Sequence, residues 1–293
     1  MKRGDIMRTL IISDDNAGIT YKEAETLGIK LTRMPILIDG ETYFENINID
    51  QDKFFGLQEN GADIRTSQPA IGEVLQMWDE YLKIYDEIVY IPMSSGLSSS
   101  CETATSLSTD YENKVFVVDN HRISVTLKSA IYDAVNLVKQ GKTGKEIKKI
   151  LEDAAHDSSI YIMVNTLKYL KKGGRVTPAA ALIGDTLHLK PILRIDGGKL
   201  DACAKSIGFK KGKKILIDQM DYDLKYKYNN DINSLRICIA YTKDIEEALH
   251  FRYEIAEHYS IKEEDIIVDP LSLSVATHIG PGSLAIACSK IIK

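Results

Sequence analysis

The first half of the chain repeats one pattern of apolar and polar positions. A short apolar run ends in a loop of small polar residues, and an amphipathic stretch follows. Thr9–Ile12 runs into Ser13–Asp14–Asp15–Asn16–Ala17–Gly18. Ile88–Met93 runs into Ser94–Ser95–Gly96–Leu97–Ser98–Ser99–Ser100, and Lys114–Val118 into Asp119–Asn120–His121. Apolar runs this short, bounded by turn formers, read as buried strands. Helices are predicted over Tyr21–Leu27 (closed by Gly28), Cys101–Leu107 and Ile123–Lys139. Another spans Ile71–Leu82, with Ile71, Val74, Leu75 and Trp78 on one face. Strand, loop and helix in series give a parallel sheet with helices on its faces. The loops at Asp14, Ser94–Ser95 and Asp119 then gather at one sheet edge, where open α/β sheets bind ligands. Between them, Met34–Ile38 reads as a strand turning at Asp39–Gly40 into Thr42–Phe44, and Asp50 caps a helix through Lys53–Leu57. Thr66, in the hydroxyl-bearing loop Arg65–Ala70, can join the gathered loops.

The pattern changes near Ala155–Ser159, where a linker is expected. Tyr161–Val164 reads as a strand, Thr166–Lys172 as a short helix ended by Gly173–Gly174, and Thr177–Pro178 as the start of a helix over Ala179–Leu187. Pro191–Ile195 and Lys199–Ala204 flank Asp196–Gly197–Gly198 as a hairpin. A helix over Lys213–Leu224 and a strand over Leu235–Tyr241 come next. The helix Ile245–His258 carries Ile245, Leu249, Tyr253 and Ala256 on its apolar side, and Asp265–Val268 is a strand. Val275–Ile279 and Leu284–Cys288 read as extended segments around Gly280–Pro281–Gly282. Hairpins mix here with crossovers. The expected fold is therefore α/β, with an N-terminal parallel-sheet domain over 1–158 and a C-terminal α+β domain over 159–293.

Charge and composition narrow the function. The formal net charge of −5 argues against a nucleic-acid binder. No apolar run approaches the roughly 20 residues that span a bilayer, so stable membrane insertion is not expected. The apolar run after the charged N-terminus, Leu10–Ile12, is short of a signal-peptide core. The four cysteines, Cys101, Cys203, Cys238 and Cys288, form no CxxC pair. Both observations point to the cytoplasm. His121, His156, His188, His250 and His258 lack metal-site spacing, so no metal is expected. Gly141–Lys142–Thr143 invites a P-loop reading, but Asn136 stands where that loop needs glycine. Thr143 and Glu146 instead make a capping box for a helix over Lys145–Ala155.

The serine loop at 94–100 is the candidate site. Hydroxyl donors between a strand and a helix N-terminus suit a small anionic headgroup. The basic cluster Lys168, Lys171, Lys172 and Arg175 closes a predicted helix, where cations complement the dipole. In an acidic protein it is also a candidate docking patch.

Five segments, in this order, resemble the DegV family of bacterial lipid-binding proteins. They are Thr66–Ser67–Gln68–Pro69, Ser94–Ser95–Gly96–Leu97–Ser98, the stretch from Thr166 through Gly173–Gly174–Arg175, Lys190–Pro191–Ile192–Leu193, and Thr277–His278–Ile279–Gly280–Pro281–Gly282. The resemblance runs from about Thr9 to Ala287. It implies a two-domain carrier, not itself an enzyme, that holds one long-chain fatty acid between its domains. It also implies that the carrier presents the carboxylate to a fatty acid kinase, which makes an acyl phosphate for phospholipid metabolism. Thr66 and Ser95 would hold the carboxylate, with Ser94 as the alternative to Ser95, and His278 would join their polar network. No cofactor is implied beyond the bound acid. Lys171, Lys172 and Arg175 are the candidate kinase contacts. The sequence departs from the family pattern at Asp15–Asn16, at Ser99–Ser100–Cys101, at Asn120 and at Thr126–Leu127–Lys128, which bears on the shape of the acyl pocket.

Physical chemistry sets the same requirement. Burying an acyl tail contributes about 0.8 kcal/mol per methylene, whereas an unpaired buried carboxylate is costly. The site must be an apolar tunnel with convergent donors at one end. Ile91, Leu97, Leu182, Ile183, Leu187 and Ile192 are candidate walls. The rival reading is a serine hydrolase with Ser95 as nucleophile, His278 as base and Asp14 or Asp119 as orienter, but Met93 stands where a nucleophile elbow needs its first glycine. A binder of another small anion, such as a sugar phosphate, would place more glycine and a nearby basic side chain in the loop, and the serine loop has neither.

Overall fold

A computed structural model describes residues 7–183 and 189–293. The chain opens with β1 (Thr9–Asp14), α1 (Tyr21–Leu27) and β2 (Lys30–Thr32). It continues through β3 (Ile36–Ile38), β4 (Glu41–Tyr43), α2 (Gln51–Glu59), β5 (Ile64–Thr66) and α3 (Ile71–Tyr81). Next come β6 (Glu87–Ile91), α4 (Ser100–Ser108), β7 (Val115–Val117), α5 (Ser124–Lys139) and α6 (Gly144–Asp153). The second half carries β8 (Ser158–Met163), α7 (Lys168–Gly173), α8 (Pro178–Ala181), β9 (Leu189–Ile195), β10 (Asp201–Ile207) and α9 (Phe209–Tyr226). It closes with β11 (Leu235–Tyr241), α10 (Ile245–Tyr259), β12 (Ile267–Pro270), α11 (Leu273–Ile279) and β13 (Leu284–Lys290).

Three sheets result. A parallel sheet runs β2-β1-β6-β7, and a small antiparallel sheet runs β4-β3-β5. A six-stranded sheet runs β10-β9-β8-β13-β11-β12, antiparallel except for β11 with β12. The fold is therefore α/β, with a parallel-sheet N-terminal region and a separate C-terminal sheet flanked by helices. Local chemistry sets many boundaries. Thr20, Asp50 and Thr177 cap their helices with side-chain oxygens, and Thr143 with Glu146 forms the expected capping box on α6. Helix α5 lies between the parallel sheet and the six-stranded sheet and packs on both. Its buried residues Val125, Leu127 and Ile131 share one apolar cluster with Val89 and Ile91 on one side and Ile162 and Ala285 on the other.

The structure corrects several sequence expectations. Lys30–Thr32 forms an edge strand that the sequence reading lacked, and the predicted strand Met34–Ile38 begins only at Ile36, in a different sheet. Residues 273–279 are helical, not extended. Leu271, Leu273 and Val275 alternate with serines at the strand period, but Leu273 and Ala276 pack against Phe54 and Phe55 of α2. Gln58 Nε2 also donates to the carbonyls of Ala276 and Thr277 at 3.2 and 3.4 Å. Tertiary packing thus overrides the β-branched composition. On α10 the buried stripe is Ala248, Phe251, Ile255 and Ala256, while Ile245 and Tyr253 are about half exposed (47% and 53%). The bulkier apolar pair, Phe251 and Ile255, sets which side turns inward. Ile71, placed on the apolar face of α3, is exposed at the start of that helix. Helix α8 ends at Ala181, well short of Leu187, which lies outside the described residues. No described helix is long and apolar enough to cross a membrane.

Candidate functional site

The carboxyl ends of β1, β6 and β7 lie side by side, and side-chain carboxylates tie their loops together. Asp14 accepts the N–H groups of Met93 (2.8 Å) and Asn16 (3.1 Å). Burial pushes its carboxyl up to about 6, against the pull of those N–H donors. Asp119 accepts the Ser95 N–H at 3.3 Å, and the Ser94 N–H donates to the Arg122 carbonyl at 2.9 Å. The Ser94 hydroxyl donates to the Gly197 carbonyl at 2.5 Å and accepts the Gly96 N–H at 3.1 Å. A Cβ on Gly96 would lie 2.5 Å from that same carbonyl oxygen, so only glycine lets the serine loop press onto the 196–198 turn.

Beside this loop is a cavity of about 300 Å³, within the range of small-molecule sites. Its apolar walls come from both main sheets and their connections, including Met93, Leu97, Ile162, Leu170, Leu200 and Ala285. Thr66, from the end of β5, and His278, from the last turn of α11, both line it. Their Oγ1 and Nε2 are 3.0 Å apart. Burial, helped by the charge of Arg175, pushes the His278 imidazole down to about 4. The ring is therefore neutral at pH 7. With its proton on Nε2 it donates to Thr66 and leaves the Thr66 hydroxyl proton for a ligand oxygen. Gly173 sits against the opposite ring edge, where a Cβ would meet His278 Nδ1 at 2.2 Å. Arg175 also lines the cavity, with Nε donating to the Leu97 carbonyl at 3.3 Å and Nη1 to the Gly173 carbonyl at 2.5 Å. Thr66, His278 and Arg175 thus form one polar group in the wall. The group combines a hydroxyl, a neutral ring and a cation, a donor set that fits a carboxylate.

The other sequence-selected residues are distributed differently. Ser94 and Ser95 are not among the walls, because Ser94 is spent on the 197 turn; Ser98 and Ser99 of the same loop reach the cavity instead. Of the six apolar candidates, Leu97 is in the wall. Ile91 is buried in the core behind it. Strand alternation puts Ile192 on the far face of the six-stranded sheet, among Leu216 and Met220. Leu182 follows the end of α8 and is 87% exposed. Ile183 packs at the edge of the core outside the walls, and Leu187 lies outside the described residues. In the basic cluster, Lys172 pairs with Asp63 at 2.7 Å on the surface, and the Lys171 ammonium reaches the Ile183 carbonyl at 3.3 Å. Arg175 turns inward. The hydrolase arrangement does not form: the hydroxyl on His278 Nε2 belongs to Thr66, while Ser95 is tied through its N–H to Asp119.

Sequence reasoning missed Arg175 as a cavity residue, together with Asn16, Ser124 and Ser274. For Ser274 and His278 the four-residue spacing was the available signal, and it speaks only once 273–279 is known to be helical. Among the described residues no group of three or more His, Cys, Asp or Glu could hold a metal ion.

Comparison with known proteins extends over almost the whole chain. A family model described as "Uncharacterised protein, DegV family" matches residues 8–290. A DegV domain-containing protein of Staphylococcus aureus (strain N315) is 28% identical over 289 residues, covering 97% of this chain and 99% of that protein. The structure of DegV from Bacillus subtilis, described as a fatty acid binding protein, is 26% identical with a TM-score of 0.84, covering 97% of this chain and 99% of that one. A DegV family protein from Thermus thermophilus, described for its fatty acid binding, has a TM-score of 0.88 at 24% identity, covering 97% of this chain and 100% of that one, and shows the shared fold.

Proposed function

The chain belongs to the DegV family, and from that premise we propose that it is a fatty-acid carrier. It holds one long-chain fatty acid in the cavity, between the parts formed by 1–158 and 159–293, with the carboxylate at Thr66, His278 and Arg175. One observation carries this reading: an apolar cavity of about 300 Å³ has a hydrogen-bonded Thr66–His278 pair and an inward-turned arginine in its wall. A tail of a dozen or more methylenes, at about 0.8 kcal/mol each, exceeds the cost of ordering it. The relative from Bacillus subtilis described as a fatty acid binding protein supports the choice of ligand. Ser98 and Ser99 supply further hydroxyls near the headgroup, with Ser95 behind them.

The finer part of the proposal is that the carrier works in the cytoplasm and presents the bound carboxylate to a separate kinase. That enzyme makes an acyl phosphate for phospholipid synthesis. Lys171 and Lys172 offer it a basic surface beside the headgroup. The chain itself performs no chemistry, so incubation with MgATP alone should leave the acid unmodified.

Native mass spectrometry of the recombinant protein, followed by organic extraction, tests the carrier reading. A stoichiometric mass increment that extracts as free fatty acid is expected. Empty protein that also fails to take up added fatty acid overturns it.

A further inference from the structure

We propose that the preferred acid carries a hydroxyl or keto oxygen on its acyl chain, received by Ser124 in the cavity wall. This deepens the carrier reading and rests on it. An unsubstituted hydrocarbon tail would leave one polar group of the cavity wall unmet. Ser124 lines the cavity and is 6% exposed, and among the described residues its hydroxyl has no hydrogen-bond partner. It is the first residue of α5 and is held at a φ of 52°, a left-handed conformation that serine rarely adopts. An unpaired hydroxyl on a strained residue, buried against a greasy cavity, is a double cost that a polar ligand atom would offset.

Asn16 lines the same cavity at 1% exposure. Its Oδ1 accepts the hydroxyl of Ser272 at 3.3 Å and that of Ser274. Its Nδ2 donates to the Met93 sulfur at 3.2 Å and also serves the Asp14 carboxylate, so this amide is already committed. Ser124 and the Asn16 amide belong to the same corner. Asn16 lies in the turn after β1, whose Asp14 holds the Met93 N–H, and the next residue, Ser94, holds the carbonyl of Arg122 just before α5. Helix α5 packs directly on that turn. Ser274, which also lines the cavity, stands four residues before His278 on α11, about 6 Å away at the helical rise. The polar corner is thus displaced from the carboxylate group by roughly one helical turn, which puts the chain oxygen in the carboxyl-proximal part of the tail. An oxygen there accepts from the Ser124 hydroxyl, and a chain hydroxyl can instead donate to the Ser124 oxygen.

The test is a competition on delipidated protein between stearic acid and monohydroxystearic acids with the hydroxyl at successive carbons. One carboxyl-proximal isomer should bind about tenfold tighter than stearic acid, the worth of one good buried hydrogen bond. In Ser124→Gly, which removes the hydroxyl and suits the positive φ, and in Ser124→Ala, that ratio should fall below about twofold. Equal affinities for stearic acid and every isomer in the wild type would mean that water serves the corner, and would overturn this inference while leaving the carrier reading intact. An isomer preference that survives in both variants overturns the assignment to Ser124. Failure of the wild type to bind any of the acids overturns the carrier reading, and this one with it.

Discussion

Replacing Gly173 with alanine should weaken fatty acid binding while leaving the protein folded. Gly173 is the last residue of α7, and its backbone lies outside the left-handed region, so alanine fits the chain there. On conformational entropy alone the change would stabilise by about 0.5–1 kcal/mol. The obstacle is the neighbouring ring. The new Cβ would lie 2.2 Å from His278 Nδ1 and 2.9 Å from Cε1, where ordinary contact begins at 3.4 Å. The ring must retreat by about 1.2 Å at Nδ1, and its far nitrogen is the one bonded to Thr66 at 3.0 Å. A displacement of that size takes the pair out of hydrogen-bonding geometry. A bond between two neutral groups is worth about 0.5–1.5 kcal/mol, so affinity for a fatty acid should fall roughly twofold to tenfold. Titration of delipidated protein gives the affinity, and urea unfolding checks that stability moves by no more than about 1 kcal/mol. In a His278→Ala background the added methyl has room, so Gly173→Ala should then cost almost nothing, and the double-mutant cycle isolates the clash. Wild-type affinity in a folded Gly173→Ala protein would refute the role given to the ring.

Three further outcomes follow from the same geometry. His278 has a folded-state value near 4, below its ordinary 6.5, so the unfolded chain takes up that proton first. Its contribution is complete above pH 6.5 and is lost as pH falls towards 4, by ~3 kcal/mol in all. Asp14, raised to about 6, acts with opposite sign over part of that window. The effect is therefore read as the stability difference between wild type and His278→Gln, and a difference that stays flat from pH 7 to pH 4 would refute it. Lys128 is nearly buried, with its ammonium 3.0 Å from Glu23 and 2.9 Å from Asp269. Lys128→Met should destabilise by ~3 kcal/mol in urea unfolding, because it strands two carboxylates beside each other, and adding Glu23→Gln should recover part of the loss. A cost below about 1 kcal/mol would show that solvent already screens them. If the proposed handover to a kinase holds, Lys172→Glu should slow acyl phosphate formation with fatty acid still bound stoichiometrically; unchanged turnover would reduce Lys171 and Lys172 to a solvated face.

Wherever a single local signal decides the structure, the sequence was readable. Gly28 closes α1 as predicted, and the Thr143–Glu146 box starts α6. The polar loops after β1, β6 and β7 do converge. The failures share a cause: the outcome depended on partners distant in sequence. Residues 273–279 coil because Gln58, Phe54 and Phe55 meet them from α2. Neither Ser95 nor its alternative Ser94 lines the cavity, and the Gly197 carbonyl, on a hairpin a hundred residues later, claims the Ser94 hydroxyl. Arg175 read as a surface cation at a helix end, but the Leu97 carbonyl draws it inward. Ile192 and Leu193 are adjacent apolar residues, and only the sheet's placement tells which faces the cavity side.

Leu97, Ile162, Leu170 and Ala285 belong both to the cavity wall and to the largest apolar cluster, which runs unbroken from one main sheet to the other. Under the carrier reading, the cargo is then part of the apolar core as well as a passenger. An acid present at a hundred times its dissociation constant would add about 2.7 kcal/mol to the folded state, a large share of the margin by which domains of this size stay folded. Starvation for fatty acid would leave a looser protein, more open to proteases, and the amount of carrier in the cell would track the lipid it has to carry.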